Sequence, residues 1–355
     1  FFQAEDGIRA LVRSRGLGDV YKRQVHGGLL HKRDSEEHRR QAVENDIDPI
    51  DLVVVNLYPF EETVAKEGVT VGEAIENIDI GGPTLVRAAA KNYEDVTVIT
   101  DTSQYIALQN EMNKYRGSTS LNFRKILSRD AFLETGYYDT KITEYLNKAN
   151  NDSPPPKKKL IGGNLVENLR YGENPHQGAS VYSLNKEINI KQLNGKKLSY
   201  NNYNDIFTGI SLSKSFTKDY STVIIKHANP CGVALDKRKI NSYLKAYECD
   251  PTSAFGGIIS CNYKVDKTVA KEISSKFYEV VVANGFESGA LKILKRKKNL
   301  RLIDSSSLKE LNFEQNTSIM NNFLSQSSDT KMFNRSDFKI CLLYTSDAAD
   351  EEDSV

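Results

Sequence analysis

The sequence contains only four cysteines, and their spacing is not that of a metal site. Cys231, Cys249, Cys261 and Cys341 are scattered, with no C-x-x-C pair among them. This spacing argues against a zinc knuckle and against a disulfide scaffold. We therefore expect reduced thiols.

An excess of one charge and long apolar runs are also missing. Lys and Arg number 48 against 47 Asp and Glu, a formal net charge of +1, so the chain has no general attraction to nucleic acid or anionic membranes. No segment approaches the roughly 18 apolar residues of a membrane span, and no charged-then-apolar leader opens the chain. Neither G-x-G-x-x-G nor a Walker loop is present. We expect a cytoplasmic protein that binds neither nucleic acid nor membrane.

What the sequence does contain is an alternation of short apolar runs with helical patterns. At 355 residues the chain has room for two domains, and the alternation predicts α/β units on largely parallel sheets. Predicted strands are 51–56, 96–100, 222–226, 257–261, 278–283 and 300–303; predicted helices are 71–77, 84–92, 121–147, 240–247, 267–276 and 289–297.

The two ends and one internal segment lack these patterns. Residues 1–24 are rich in Arg and Gly, and residues 341–355 end in an acidic run; we expect both to be non-family segments of adapter or vector origin, with a native disordered tail as the alternative for the second. In 151–160, three prolines exclude helix and three lysines favour solvent, which predicts a linker. The predicted domains are therefore 25–150 and 161–340.

The first candidate site combines NLYPF, residues 56–60, with IDIGGPTLVRAAAKN, residues 78–92. A strand end, an acidic residue, a glycine turn and a helix N-terminus together favour anion binding. Arg87 and Lys91 would project from one helix face. An ordinary capped helix remains an equal alternative.

The second and third candidates bring cations and histidines into loops. LRYGENPHQ, residues 169–177, offers an arginine fork, a flat ring and a base. In STVIIKHANPCG, residues 221–232, Lys226 and His227 end an apolar strand. They can converge on one ligand only if the chain bends there, and Asn229-Pro230 favours such a bend. A structural loop and a core histidine are the respective alternatives.

A fourth candidate, CDPTSAFGG at 249–257, presents Phe255 and glycines before a strand and would wall a heterocycle pocket or form a tight turn. LSYNNYND, at 198–205, reads as a similar polar loop. In this order, the motifs resemble those of the bifunctional purine biosynthesis family, which fuses AICAR formyltransferase to IMP cyclohydrolase. The resemblance runs from Val25 to about Lys339.

This resemblance implies a methylglyoxal-synthase-like domain followed by a partial cytidine-deaminase-like domain without zinc, so that no metal is required. It implies the last two steps of IMP synthesis, with AICAR, formyl-AICAR and IMP as small-molecule ligands and 10-formyltetrahydrofolate as co-substrate. Full-length members are expected to be homodimers. The family positions that match catalytic residues are Tyr58, Asp79, Lys91, Lys226 and His227; those that match substrate-binding residues are Asn56, Gly81, Gly82, Arg170, Tyr171, His176, Asn202, Asn229, Phe255 and Gly256.

The chain also departs from the family pattern. The phosphate-binding loop and the R-V-K-T-L-H-P segment expected before VHGGLL are absent, and so is the second half of the transformylase. A non-catalytic nucleotide-binding fragment is therefore the main alternative to an enzyme. A lyase of methylglyoxal-synthase type is a weaker one, because that fold alone has no use for a second domain with a Lys-His pair.

Overall fold

The computed structural model describes residues 17–149, 154, 156–185, 188–308 and 314–329. The chain divides into two compact units, residues 1–164 and 165–355. Most of the predicted leader (1–16 of 1–24), the whole predicted tail 341–355 and part of the predicted linker 151–160 (residues 151–153 and 155) lie outside the described residues.

The first unit is built around a parallel pair of strands, β1 (Leu52–Val54) and β2 (Thr97–Ile99), with Val53 opposite Val98. Its core joins both strands to the fifth and seventh helices through small and β-branched side chains such as Val86, Ala89 and Ala131. The helices are α1 (Leu17–Leu30), α2 (Glu36–Glu44), α3 (Phe60–Val64), α4 (Val71–Glu76), α5 (Gly81–Lys91), α6 (Tyr105–Lys114) and α7 (Leu121–Ala149).

Each strand and helix predicted in this unit is present. Two details differ from the expectation. Gly81-Gly82-Pro83, expected as a turn before the helix, forms the first turn of α5, where proline is tolerated because the first N–H groups of a helix have no partner within it. Helix α1 runs through residue 24, where the sequence analysis ended the leader.

The described strands that follow are β3 (Asn164–Leu169), β4 (Ala179–Ser183), β5 (Lys191–Asn194), β6 (Tyr220–Lys226), β7 (Asn229–Asp236), β8 (Ile258–Cys261), β9 (Val280–Ala283), β10 (Arg301–Asp304), β11 (Gln315–Ile319) and β12 (Asn322–Gln326). β3 pairs with β4, and β11 pairs with β12. The other six form the main sheet of the second unit, in the order β5-β10-β9-β8-β6-β7. In this mixed sheet, β8, β9 and β10 are parallel, and the other neighbouring pairs are antiparallel.

Helices cover both faces of this sheet. They are α8 (Tyr200–Ser215), α9 (Lys239–Cys249), α10 (Pro251–Ala254), α11 (Lys267–Ser274) and α12 (Ser288–Leu294). Because successive side chains of a strand point to opposite faces, Val223 and Ile225 pack with α8 while Ile224 packs with α9, α11 and α12. The predicted α/β class is confirmed, and all strands and helices predicted here are present. The expectation of a largely parallel sheet is wrong for this unit, because three of the five neighbouring strand pairs are antiparallel. β7 was not predicted, because it begins at the expected Asn229-Pro230 turn.

Candidate active sites

The start of helix α5 is built around a buried aspartate in the first unit. The Asp79 carboxylate accepts a hydrogen bond from the Gly82 N–H at 2.7 Å, and the Asp79 N–H donates to the Tyr138 hydroxyl oxygen at 2.9 Å. Asp79 is only 6% exposed. A helix N-terminus stabilises a negative charge, so the anion at this position is the protein's own carboxylate, held in one orientation.

Gly82 is required here by a close approach. A Cβ at this position would lie 2.4 Å from the Asp79 Oδ2 and 2.9 Å from the Leu57 Cδ2. Leu57 belongs to NLYPF, which follows β1, so this contact brings that segment to the helix start. The structure therefore brings Leu57 to Gly82 and Asp79. The chain neighbours of Leu57 are the exposed Asn56 and the half-buried Tyr58, and their contact with substrate stays a prediction.

Tyr138 of α7 connects the two halves of this site. Its ring packs edge-on against Phe60, the first residue of α3, with 6.3 Å between centroids. Its hydroxyl also donates to the Asn77 carbonyl at 3.4 Å, and burial raises its pKa. Tyr138 could not be recognised from the sequence, because it lies 59 residues from Asp79 along the chain.

Lys91 is not brought to the same place. It is the last residue of α5 and is exposed. At 1.5 Å of rise per residue, its backbone lies about 13 Å along the axis from Gly82. Arg87, predicted on the same face, lies 5.2 Å over the Phe132 ring of α7. The role of Lys91 stays a prediction.

In the second unit, Lys226 and His227 lie where β6 turns into β7. Lys226 pairs with Asn229, so the loop consists of His227 and Ala228, which have φ values of 54° and 56°. The bend is therefore at His227-Ala228 and not at Asn229-Pro230. Left-handed backbone costs an L-residue about 1 kcal/mol or more, although it matches the twist of a two-residue hairpin.

Hydrogen bonds to neighbouring groups surround this turn. The Asp205 Oδ1 accepts from the Ala228 N–H at 2.6 Å, and the Asn229 side-chain amide donates to the His227 carbonyl at 2.9 Å. Burial raises the pKa of Asp205, and the Ala228 N–H and the nearby His227 oppose that rise. His227 and Asn229 are exposed, so the turn presents them to solvent.

Lys226 connects the hairpin to the predicted aromatic wall. Its Nζ donates to the Phe255 carbonyl at 3.2 Å. The Phe255 ring is 65% exposed and lies 5.1 Å from the Phe277 ring. Gly256, at φ +74°, donates its N–H to the Phe277 carbonyl at 3.0 Å. An ammonium, an imidazole-bearing turn and an exposed ring are thus gathered at one edge of the sheet.

Asn202 has a structural role in this protein. Ser199 and Asn202 form a reciprocal capping box at the start of α8, and the Asn202 amide lies 3.3 Å from the Glu279 carboxylate. The prediction of a polar loop at 198–205 is therefore wrong, because these residues contain the N-cap and first turns of α8. A Ser three residues before a polar side-chain amide is a sequence sign of such a helix start. Its predicted substrate contact stays a prediction.

The RYGENPHQ loop connects β3 to β4 and is closed by its own hydrogen bonds. Gly172 N–H donates to the Gln177 carbonyl at 2.8 Å, and the Arg170 guanidinium lies 5.7 Å from the Tyr171 ring centroid. Arg170 and His176 are exposed. Among the described residues, the contacts recorded for this loop do not include Lys226 or His227.

Asp205 is the residue at this site that the sequence analysis overlooked. It is the last residue of LSYNNYND, residues 198–205, but it lies 23 residues from Ala228. A polar residue just inside a helix start gives no local sign of a partner in a distant hairpin. Only the packing of α8 on the sheet brings the two together.

Neither a metal site nor a membrane span is found in the described part of the chain. Across 17–149, 156–185, 188–308 and 314–329, no group of three or more His, Cys, Asp or Glu side chains is arranged to hold a metal ion. No helix in those ranges combines the length and apolar character needed to cross a bilayer.

Comparison with known families supplies the assignment that the geometry alone does not. A family model described as the AICARFT/IMPCHase bienzyme matches residues 89–354, and one described as an MGS-like domain matches residues 6–84. The chain belongs to the AICARFT/IMPCHase bienzyme family. The predicted family is confirmed, as is the predicted order of folds, with the MGS-like domain first. The matched ranges include parts of both predicted non-family ends, and the domain boundaries stay a prediction.

Relatives of this bienzyme family align over most of the chain. The bifunctional purine biosynthesis protein PurH of Acetivibrio thermocellus is 48% identical over 79% of this chain and 55% of its own length. That of Listeria welshimeri is 44% identical over 86% of this chain and 60% of its own length. The chain thus spans little more than half the length of these relatives. The crystal structure of ForH, 31% identical, covers 35% of this chain and 64% of its own with a TM-score of 0.32, too low to support an argument.

Proposed function

We propose that this chain catalyses the last two steps of IMP synthesis. In the first, AICAR takes a formyl group from the co-substrate 10-formyltetrahydrofolate; in the second, formyl-AICAR closes to IMP with loss of water. The observation that carries the proposal is the placement of Lys226 and His227, in a member of this family, at a sheet edge beside the exposed Phe255.

The formyl transfer needs a base because the amine of AICAR is deactivated by its ring. His227 accepts a proton as the amine nitrogen bonds to the formyl carbon, and Lys226 stabilises the negative charge that develops on the formyl oxygen. The bond from that carbon to N10 of the folate then breaks, and N10 takes up a proton. Formyl-AICAR and tetrahydrofolate are the products.

The remaining residues of the second unit bind substrate in this proposal. Phe255 and Gly256 form a wall against a flat ring, and Asn229 lies beside the base. Arg170, Tyr171 and His176 hold AICAR, Arg170 through its phosphate. Asn202 supports the pocket from within its helix cap.

The ring closure belongs to the first unit. The carboxamide nitrogen of formyl-AICAR attacks the formyl carbon, and water leaves. Because an amide nitrogen is a poor nucleophile, most of the acceleration comes from holding the two groups together. Tyr58, Asn56 and the start of α5 at Gly81 and Gly82 orient the substrate, and the fixed Asp79 carboxylate accepts a proton. Lys91, the last residue of α5, stabilises the negative charge that develops on oxygen during this attack.

Two assays test the two reactions separately. The chain is incubated with AICAR and 10-formyltetrahydrofolate, and with formyl-AICAR alone, and the products are separated by chromatography. His227→Ala is expected to lower formyl transfer by about 100- to 10,000-fold, the usual contribution of a general base, and to leave ring closure unchanged. Lys264→Ala, an exposed lysine after β8 at the far edge of the sheet, is the matched control. Equal transfer by wild type and His227→Ala would refute the assignment.

A non-catalytic nucleotide-binding fragment is the second candidate, because the chain spans 55% to 60% of the length of the two relatives described above. It predicts AICAR or IMP binding in calorimetry with no turnover in either assay. Restoration of turnover by the relatives' additional segments would support this candidate. We also propose that full-length members act as homodimers, which analytical ultracentrifugation of such a protein tests.

A further inference from the structure

The turn that carries His227 has a conformation that its own residues do not favour. Two-residue hairpin loops of this kind normally contain Asn, Asp or Gly, which tolerate positive φ. Here His227 and Ala228 adopt it in succession, and the methyl side chain of Ala228 forms no hydrogen bond that would favour it. Such a conformation persists only where the surrounding structure holds it.

The structure shows what holds the turn. The Asp205 carboxylate accepts from the Ala228 N–H at 2.6 Å, a short distance for a charge-assisted hydrogen bond. Asp205 itself is anchored, because the next residue, Ile206, and Ile210 one turn further are fully buried with β6 residues beneath α8. The carboxylate therefore reaches the hairpin from a rigid helix.

We propose that Asp205 is a positioning residue of the transformylase, which holds the left-handed His227-Ala228 turn and so keeps the imidazole and the Lys226 ammonium in reacting geometry. This inference rests on the proposed function of Lys226 and His227. Without the Asp205 acceptor, the turn relaxes toward negative φ, and the closing pair of Lys226 and Asn229 opens.

The test uses the complete chain and variants that separate the hydrogen bond from the strain. Asp205→Ala removes the acceptor, whereas Asp205→Asn keeps an oxygen that can accept from the Ala228 N–H. Ala228→Gly makes positive φ free of steric cost, so the double variant Asp205→Ala/Ala228→Gly no longer needs the acceptor.

We expect Asp205→Ala to lower the kcat of formyl transfer at least tenfold, with the KM for AICAR changed less than twofold. Asp205→Asn is expected to stay within about threefold of wild type. The double variant is expected to recover to within about threefold of Ala228→Gly alone. A double variant as slow as Asp205→Ala would overturn the proposal, as would an unimpaired Asp205→Ala.

A structural readout keeps this inference distinct from the proposed function. If the wild type shows no formyl transfer, the proposed function fails, and hydrogen exchange of a peptide covering 223–233 tests the turn alone. Exchange should be faster by tenfold or more in Asp205→Ala and slower again in the double variant; no change would refute the role of Asp205. Asp266→Ala is the matched control. The Asp266 carboxylate likewise accepts hydrogen bonds from backbone N–H groups, those of Thr268 and Val269. It follows the C-terminal end of β8, whereas the His227 turn lies near the N-terminal end of that strand.

Discussion

Replacing Gly82 with alanine should lower the stability of the first unit, although a glycine-to-alanine change within a helix ordinarily raises stability. The new Cβ would lie 2.4 Å from the Asp79 Oδ2 and 2.9 Å from the Leu57 Cδ2, so the carboxylate or the helix must move. Overpacking of this kind costs about 1–3 kcal/mol, and weakening the buried hydrogen bond to the Asp79 carboxylate adds about 1–3 kcal/mol. After subtracting the gain in helix propensity, about 1 kcal/mol, we expect a net loss of about 1–5 kcal/mol.

Gly136 provides the matched control for this substitution. It lies inside α7, and a Cβ there would meet nothing within 4 Å. Gly136→Ala should therefore raise the free energy of unfolding by about 0.5–1 kcal/mol. Urea denaturation, followed by hydrogen exchange of peptides from α5 and α7, measures both effects. A Gly82→Ala variant as stable as the wild type, or stabilised like Gly136→Ala, would show that the packing of Asp79 and Leu57 on this helix is not as described.

Three further predictions concern the second unit. Ser199→Ala should destabilise α8 by about 1 kcal/mol, because it removes the capping box with Asn202. Urea denaturation measures this, and an unfolding midpoint at the same urea concentration as the wild type would contradict it. Burial and the neighbouring Glu167 raise the pKa of Tyr203 to about 12. Its contribution to stability is therefore complete below about pH 10, the ordinary pKa of tyrosine, and is lost as the pH rises toward 12. Tyr203→Phe should accordingly remove one late-ionising phenol from an ultraviolet titration, and an unchanged titration would exclude this. Phe255→Ala should weaken binding of the transformylase substrates by about tenfold, as loss of an aromatic stacking partner does, while the melting temperature stays within a few degrees because the ring is largely exposed; calorimetric titration measures the first and thermal unfolding the second.

The strands and helices were predictable because their signals are local. Apolar runs such as Val53-Val54-Val55 and Val280-Val281-Val282 are long enough for a buried strand and too short for a helix. Strands without such a run escaped prediction. β7 was one of these, because its first residues, Asn229 and Pro230, are turn formers.

The sequence by itself determined the family, the α/β class and the residue types available for chemistry, since periodicity and motif order depend only on neighbours along the chain. Only the tertiary structure decided which of those residues meet. It brought Asp205 to the His227 turn across 23 residues, and it separated Lys91 from Asp79 by the length of a helix. Such contacts depend on how helices pack on sheets, and side chains that meet through packing leave no common pattern in the chain.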